Sequence, residues 1–267
     1  MKVASWNVNS IRVRVEQVAA WLQSHQPDVL CLQELKTVEE KFPREVFSAL
    51  GYEAAIFGQK TYNGVAILSR FPMTDVARGF GDSADDAEAR LVAATIDGVR
   101  IHSVYVPNGQ TIFSDRYPHK LRWLARLRAH AEARDPQARW LLCGDFNVAP
   151  DERDLYNPAA FGNDVIFHSD VRQAYAELVA GGLTDTFRLH HPETGHFSWW
   201  DYRMLALAKN RGLRIDLILA DAAMAACCTA ASIDREARKG PQPSDHAPIL
   251  AEFDLSRLTR LPAASVA

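Results

Sequence analysis

The chain has 267 residues, 48% hydrophobic and 24% charged, which is enough apolar material for one large α/β domain or two small ones and excludes a disordered chain. Its formal net charge of −3 is not strongly basic and neither supports nor excludes DNA; a nucleic-acid binder of this balance needs a local basic surface facing an acidic, metal-binding centre. Four cysteines without zinc-like or disulfide-like spacing, no signal-peptide pattern after Met1-Lys2 and no long apolar run point to a reducing, cytoplasmic compartment without a membrane span.

Lys2 to Val8 reads as a first strand ending in Asn7-Val8-Asn9-Ser10, where Asn9 or Ser10 caps a helix to about His25 with Ile11, Val15, Val18, Trp21 and Leu22 at helical spacing. Val29–Glu34 is a second buried-type strand with a polar end. A short helix near Pro43 to Leu50 leads to strands at Tyr52–Phe57 and Gly64–Leu68, with Asn63-Gly64 as a turn signal. After an acidic loop, Asp82 to Glu88, the runs Leu91–Ile96 and Arg100–Val106 flank Asp97-Gly98, the best hairpin signal in the chain. A helix follows from about Pro118 or Lys120 to Arg134. Trp140-Leu141-Leu142-Cys143 is a core strand that stops abruptly at Gly144-Asp145-Phe146-Asn147, and alternation puts Asp145 and Asn147 on one side with Phe146 on the other. Beyond it come an amphipathic segment Ser169–Leu178, a strand at Leu183–Arg188, an aromatic-rich loop His196–Arg203, a strand Leu213–Leu219 with Asp216 at its centre, and strands Cys227–Ile233 and Pro248–Phe253. Strands outnumber helices and short turns join many of them, so one domain over 1–255, sheet packed on sheet with helices outside, is the economical reading, with 256–267 a tail.

Polar groups collect at strand ends: Trp6-Asn7-Val8-Asn9, Leu32-Gln33-Glu34, Val104-Tyr105-Val106-Pro107-Asn108-Gly109, Gly144-Asp145-Phe146-Asn147 and Pro243-Ser244-Asp245-His246-Ala247-Pro248, with Arg214-Ile215-Asp216 inside a strand. In α/β sheets the carboxyl edge of the strands is where ligands sit. An Asp in an apolar strand is costly to bury without a partner, and His246 is the natural candidate. Each motif alone also has a bland reading: a turn for Gly-Asp-Phe-Asn, a satisfied core aromatic for Tyr105, a loop-capping histidine for His246.

Six such motifs, in this order and spacing from Lys2 to about Phe253, resemble the exonuclease III family of AP endonucleases within the wider endonuclease/exonuclease/phosphatase superfamily. The resemblance implies a DNase-I-like four-layer α/β sandwich, two packed mixed sheets flanked by helices. It implies Mg²⁺, with Mn²⁺ as a substitute, held principally by Glu34 with Asn7 beside it and with Asp145, Asn147, Asp245 and His246 around the metal. By the same likeness Asp216 orients His246, Asp145 positions or deprotonates the attacking water, Asn147 holds the phosphate and Tyr105 serves the leaving 3′-oxygen. Whether Asp145 or His246 is the base, and whether one or two metals act, stays open at this point.

Other branches of the superfamily act on inositol phosphates, sphingomyelin and RNA tails, and many carry histidine where Tyr105 stands, so Val-Tyr-Val-Pro-Asn-Gly looks like the AP-endonuclease branch. The resemblance implies action on double-stranded DNA, as a monomer, 5′ to abasic sites or at 3′ ends. Trp200 and Leu213 would wall a pocket for a base-less sugar too small for a stacked nucleotide, and Asn108, Gln110, Lys120 and Arg211 would contact the substrate, with Arg12, Arg14, Lys60 and Arg116 as further backbone contacts.

Overall fold

The computed structural model describes residues 1–82 and 88–260. Among the described residues, twelve strands form two six-stranded mixed sheets. In chain order they are β1 Lys2–Asn7, β2 Val29–Gln33, β3 Glu53–Phe57, β4 Val65–Ser69, β5 Met73–Arg78, β6 Leu91–Ile96, β7 Val99–Tyr105, β8 Arg139–Asp145, β9 Leu183–Asp185, β10 Asp216–Asp221, β11 Cys228–Ile233 and β12 Ile249–Phe253. One sheet has the order β11-β12-β1-β2-β4-β3 and the other β5-β6-β7-β8-β10-β9.

Each sheet holds one parallel pair, β1 with β2 and β7 with β8, and the remaining neighbours are antiparallel. A parallel pair needs a crossover, and helices supply both: α1 (Ile11–His25) between β1 and β2, α3 (Arg116–Glu132) between β7 and β8. Strand alternation then sorts the side chains into layers. Val3, Val29 and Cys31 of the first sheet meet Ile101, Leu141, Cys143 and Ile218 of the second in the inter-sheet core. Trp6, Leu30 and Leu32 point the other way, onto Ile11, Val18, Trp21 and Leu22 of α1 and Phe47 of α2 (Arg44–Ser48). Val104, Leu142 and Leu219 face Trp123, Leu124 and Leu127 of α3 and Val171, Tyr175 and Leu178 of α4 (Ser169–Ala180). The result is the expected four-layer sandwich. All four cysteines are free and buried, and no helix among the described residues is long and apolar enough to cross a membrane.

Local chemistry explains both the agreements and the departures. Asp97 and Gly98 take φ of 49° and 73° between the paired residues Ile96 and Val99, the left-handed two-residue turn a tight hairpin requires. Neither Asn9 nor Ser10 caps α1 with its side chain. The amides of Ser10 and Ile11 instead reach the carbonyls of Glu34 and Leu35. Burial of Ile11, Val18 and Leu22, at about 2 kcal/mol each, outweighs a missing cap worth about 1 kcal/mol.

Strand β5 lacks a sequence signal because it is an edge strand with most side chains in solvent. The stretch expected as one strand over Leu183–Arg188 stops at Asp185, whose carboxylate accepts from the Phe187 amide and starts the short helix α5, Thr186–His190. Asp221 likewise caps α6, Ala222–Cys227, an Ala-rich stretch without periodicity to reveal it. Asp216 begins β10 rather than standing at its centre. Residues Leu255–Arg260 continue past the expected domain end as a 3₁₀ helix, with Leu255 and Leu258 on the inter-sheet core. Most of the acidic loop and residues 261–267 lie outside the described residues.

Candidate active site

The two parallel pairs end on the same rim. Asn7 pairs with Gln33 at the end of β1 and β2, and Tyr105 pairs with Asp145 at the end of β7 and β8. Strand β10 runs antiparallel to β8, so its first residue, Asp216, sits opposite Asp145. The segment entering β12 brings Asp245 and His246 to the same place, tied down by a bridge between Trp199 and His246. Gly144 lets the second parallel pair close: a Cβ there would stand 1.9 Å from the Val104 carbonyl oxygen.

Around this rim the backbone leaves regular geometry. Asn9, Ser10, Glu34, Lys36 and Asn147 all have positive φ without being glycine, a conformation that persists only where surrounding bonds over-determine it. Those bonds are visible. The Asn7 amide nitrogen donates to Glu34 Oε1 at 2.8 Å and to Asp145 Oδ2 at 2.9 Å, and Asn7 Oδ1 accepts from the Asn9 amide. The Asn147 amide donates to Asp145 Oδ1 at 2.9 Å. His246 Nδ1 donates to Asp216 Oδ2 at 2.8 Å, while its Nε2 stands 3.8 Å from Asp145 Oδ2. An oxygen of Glu34, an oxygen of Asp145 and a ring nitrogen of His246 lie within 4.8 Å of one another; the two carboxylates are the cation donors, whereas His246, expected beside the metal, has no free lone pair while both ring nitrogens carry protons. Two convergent carboxylates and little else of softer character suit a hard divalent cation that keeps its own waters; this donor set fits one.

Electrostatics separates the roles these groups can play. Burial opposes ionisation of Glu34, but the Lys36 ammonium at 2.9 Å and the Asn7 bond outweigh it and hold the carboxyl below its usual range. Burial pushes Asp145 up to about 7, with the charges of Asp216 and Glu34 adding to the rise against His246 and Asn7. Burial alone would discharge His246, yet Asp216 and Asp145 raise it to about 10, so it is an imidazolium at neutral pH. Burial, then Glu34 and Asp145, push the Tyr105 phenol well above its ordinary value, with the Arg90 guanidinium over the ring at 4.8 Å.

The remaining expected residues divide. Asp245 stands outside the ligand trio, its two oxygens engaged by the Asn9 amide and the Trp199 indole, both at 3.0 Å. Asn147 accepts from the Asn108 amide and donates to the Val106 carbonyl, so its side chain locks two turns together. Lys120 was expected at the substrate, but it is fully buried and donates to the carbonyls of Asn108, Asn147 and Val165. An ammonium so placed replaces backbone hydration inside the turn and cannot reach a phosphate. Trp200 was expected to wall a pocket; it too is buried, its indole donating to Asn210. Its neighbour Trp199 takes that position, with Leu213, Arg211, Tyr156, Phe161 and Ile166, around an apolar cavity of about 480 Å³. Gly212 permits this, since a Cβ there would strike the Trp200 indole nitrogen at 2.5 Å. On the other flank Tyr105, Asn108, Gln110, Arg116 and His119 line a second cavity of about 400 Å³. Arg12 and Lys60 are exposed, while Arg14 is spent on the carbonyls of Asn9, Gln242 and Pro243. Lys36, Trp199 and Arg90 escape sequence reasoning; only the Glu34-x-Lys36 spacing and the Trp-Trp pair hint at the first two.

The exodeoxyribonuclease III of Haemophilus influenzae is 34% identical over 95% of this chain and all of its own length. An AP endonuclease from Archaeoglobus fulgidus superposes with a TM-score of 0.92 at 39% identity, covering 95% of this chain and 99% of the other. A 3′ phosphatase from Neisseria, NExo, solved bound to a product DNA hairpin, superposes with a TM-score of 0.93 at 42% identity, over 95% of this chain and 99% of the other. Residues 4–246, which hold every group of the rim, match the Endonuclease/Exonuclease/phosphatase family, and the chain belongs to that family.

Proposed function

We propose that this chain is a Mg²⁺-dependent DNA repair phosphodiesterase that cleaves 5′ to abasic sites, leaving a 3′-hydroxyl, and also removes 3′-phosphoryl groups and nucleotides from duplex 3′ ends. The observation that carries this reading is the convergence of Glu34, Asp145 and His246 on one sheet rim, in a chain similar to an exodeoxyribonuclease, an AP endonuclease and a 3′ phosphatase. Mg²⁺ on Glu34, with Asp145 beside it and Mn²⁺ as a substitute, would polarise the phosphoryl group and offset charge on the departing oxygen.

The residues themselves then divide the work. Asp145 is held through both oxygens, by Asn7 and by the Asn147 amide, and its carboxyl sits near 7, so it is oriented and poised to take a proton from water. His246 cannot take that proton while Asp216 keeps it charged; its Nε2–H faces the 3.8 Å gap to Asp145, where a phosphate oxygen gains a charge-assisted donor. The Tyr105 phenol stays protonated and serves the leaving 3′-oxygen. The cavity between Trp199 and Leu213 offers an apolar wall for a base-less sugar, and Arg211 and Gln110, on opposite flanks, supply backbone contacts that position without reading sequence. Four free, buried thiols suit a reducing cytoplasm, and one chain supplies Glu34, Asp145, Asp216 and His246 to the rim, which suits a monomer.

The test uses a labelled duplex with one internal abasic analogue and an intact duplex with a recessed 3′ end, each with Mg²⁺, with EDTA and with Asp145→Asn. Metal-dependent incision 5′ to the abasic site, lost in the variant, is expected. A 3′ ladder with the abasic strand uncut would make the protein an exonuclease specialist, and no cleavage of either duplex would overturn the DNA-repair reading.

A further inference from the structure

Away from the rim, the segment after α5 gathers His191, Glu193 and His196, whose ligand atoms all lie within 4.8 Å of one another. Glu193 Oε1 is 3.2 Å from His191 Nδ1 and 2.8 Å from His196 Nε2. Two ligand atoms on a tetrahedral cation with metal–ligand bonds of about 2.0–2.1 Å stand about 3.3 Å apart, so a cation can be seated with only small movement of the carboxylate.

The surroundings orient these groups in the way a metal requires. His191 Nε2 donates to the Ala231 carbonyl at 2.8 Å, which leaves Nδ1 of the neutral ring as a lone pair facing a carboxylate oxygen. Two acceptors in that position need a second proton or a cation between them. A carbonyl holding the far ring nitrogen is the usual support of a metal-binding histidine. The His191 ring also stacks on Phe187, with centroids 4.4 Å apart. The loop backbone is pinned by Arg188, which donates to the carbonyls of His191 and Glu193, and by Arg153, which donates to that of Pro192. All three side chains keep open faces, with 30%, 52% and 41% of their surface exposed in chain order, so water can complete the coordination.

We propose that His191, Glu193 and His196 form a second metal site, separate from the catalytic rim, for a zinc-class cation bound by two imidazoles, one carboxylate and water. Imidazole nitrogen selects Zn²⁺, Co²⁺ or Ni²⁺ over Mg²⁺, so the two sites take different metals. The loop that carries the site is also tied toward the substrate wall through one side chain: Asn210 donates to the Gly195 carbonyl and accepts from the Trp200 indole, linking the metal loop to the segment that carries Trp199 and Leu213.

The experiment titrates Zn²⁺ by calorimetry, in excess Mg²⁺, into a Glu34→Gln protein whose catalytic rim is disabled, and repeats it on Glu34→Gln combined with His191→Asn or with His196→Gln. The expected result is one equivalent of Zn²⁺ in the first protein, binding at least about tenfold weaker in each double variant, in line with the loss on removing a metal-supporting group. The rise in melting temperature at a fixed Zn²⁺ concentration should be smaller in both double variants than in the first protein, and the ligand-field absorption of bound Co²⁺ should need correspondingly more Co²⁺ to appear in them. No stoichiometric zinc in the Glu34→Gln protein, or binding unchanged by either histidine substitution, would overturn the site.

Discussion

Replacing Asp216 with Asn isolates what the buried histidine contributes. The Asp216 side chain makes one hydrogen bond, 2.8 Å to His246 Nδ1, and its other oxygen is buried without a partner. Asn keeps the volume and can still accept from Nδ1–H, so the fold should survive, while the charge that keeps His246 an imidazolium is lost. A charge-assisted hydrogen bond is worth about 1.5–3 kcal/mol; taking the upper part of that range, because both partners are nearly sealed from water, gives a fall of about 100-fold in the chemical step. Asp216 has no bond to Glu34 or Asn7, so the Mg²⁺ concentration for half-maximal rate should not move. The variant should also lose activity at lower pH on the alkaline side, since His246 no longer holds its proton up to about 10. Single-turnover incision of an abasic duplex, at several Mg²⁺ concentrations and pH values, measures all three. A fall of less than about threefold at saturating Mg²⁺, or a loss that extra Mg²⁺ restores, would refute the assignment of His246 as a charged phosphate donor.

Lys120→Met should weaken the protein by about 3 kcal/mol in denaturant melts, because three buried carbonyls lose their donor. It should leave the salt dependence of DNA binding unchanged, whereas Arg211→Ala should reduce that slope by about one; a reduced slope for Lys120→Met would return that residue to the DNA surface. Acid should destabilise the fold through His102, which burial, then His130 and Arg100, hold far below its usual pKa, against the favourable bond to the Leu141 carbonyl. The depressed folded value means the unfolded chain takes up a proton that the fold refuses, so stability is intact above the unfolded pKa of about 6.5 and falls below it, by about 2 kcal/mol at pH 5. Melts of wild type and His102→Gln from pH 7.5 to 5 should diverge by that amount, and parallel curves would show that His102 is not the acid-sensitive group.

Much of the rim can be read from the chain because its groups sit at strand ends, and a strand end is a local event. An apolar run that stops at Asp145, or at Glu34 just past Gln33, shows itself without tertiary information. The buried Asp216 shows itself by its cost, and the predicted partner, His246, is the one found. What stays hidden depends on which face of a loop turns inward. Lys120 and Arg116 both look like surface cations on one helix, and only the packing of α3 against the Asn108 and Asn147 turns sends the first inside. Trp199 and Trp200 are adjacent and chemically identical, and the bridge from Trp199 to Leu213 decides which one meets the cavity. Edge strand β5 and helix α6 fail for a simpler reason, since neither carries an apolar period.

The division between rim and loops also explains how one centre accompanies relatives described as exonuclease, AP endonuclease and 3′ phosphatase. Asn7, Asp145, Asp216 and His246 are fixed by sheet register and by bonds to one another, so the phosphate chemistry has little freedom to vary. The two cavities beside them are lined in large part by segments 107–119 and 199–213, with residues 59–63 and 88–105 completing the first and 156–166 the second, and both segments are held to the core through a few contacts such as Asn108 to Asn147 and Trp199 to Asp245. A change at a cavity-lining residue whose side chain makes no bond to the rim, such as Gln110 or Arg211, should reshape what fits beside the scissile phosphate and leave the rim intact. Substrate preference should therefore follow the geometry of Trp199, Leu213 and Gln110, and exchanging the 199–213 segment between relatives should transfer preference between abasic and 3′-end substrates while the Asp216 and His246 dependence stays with the rim.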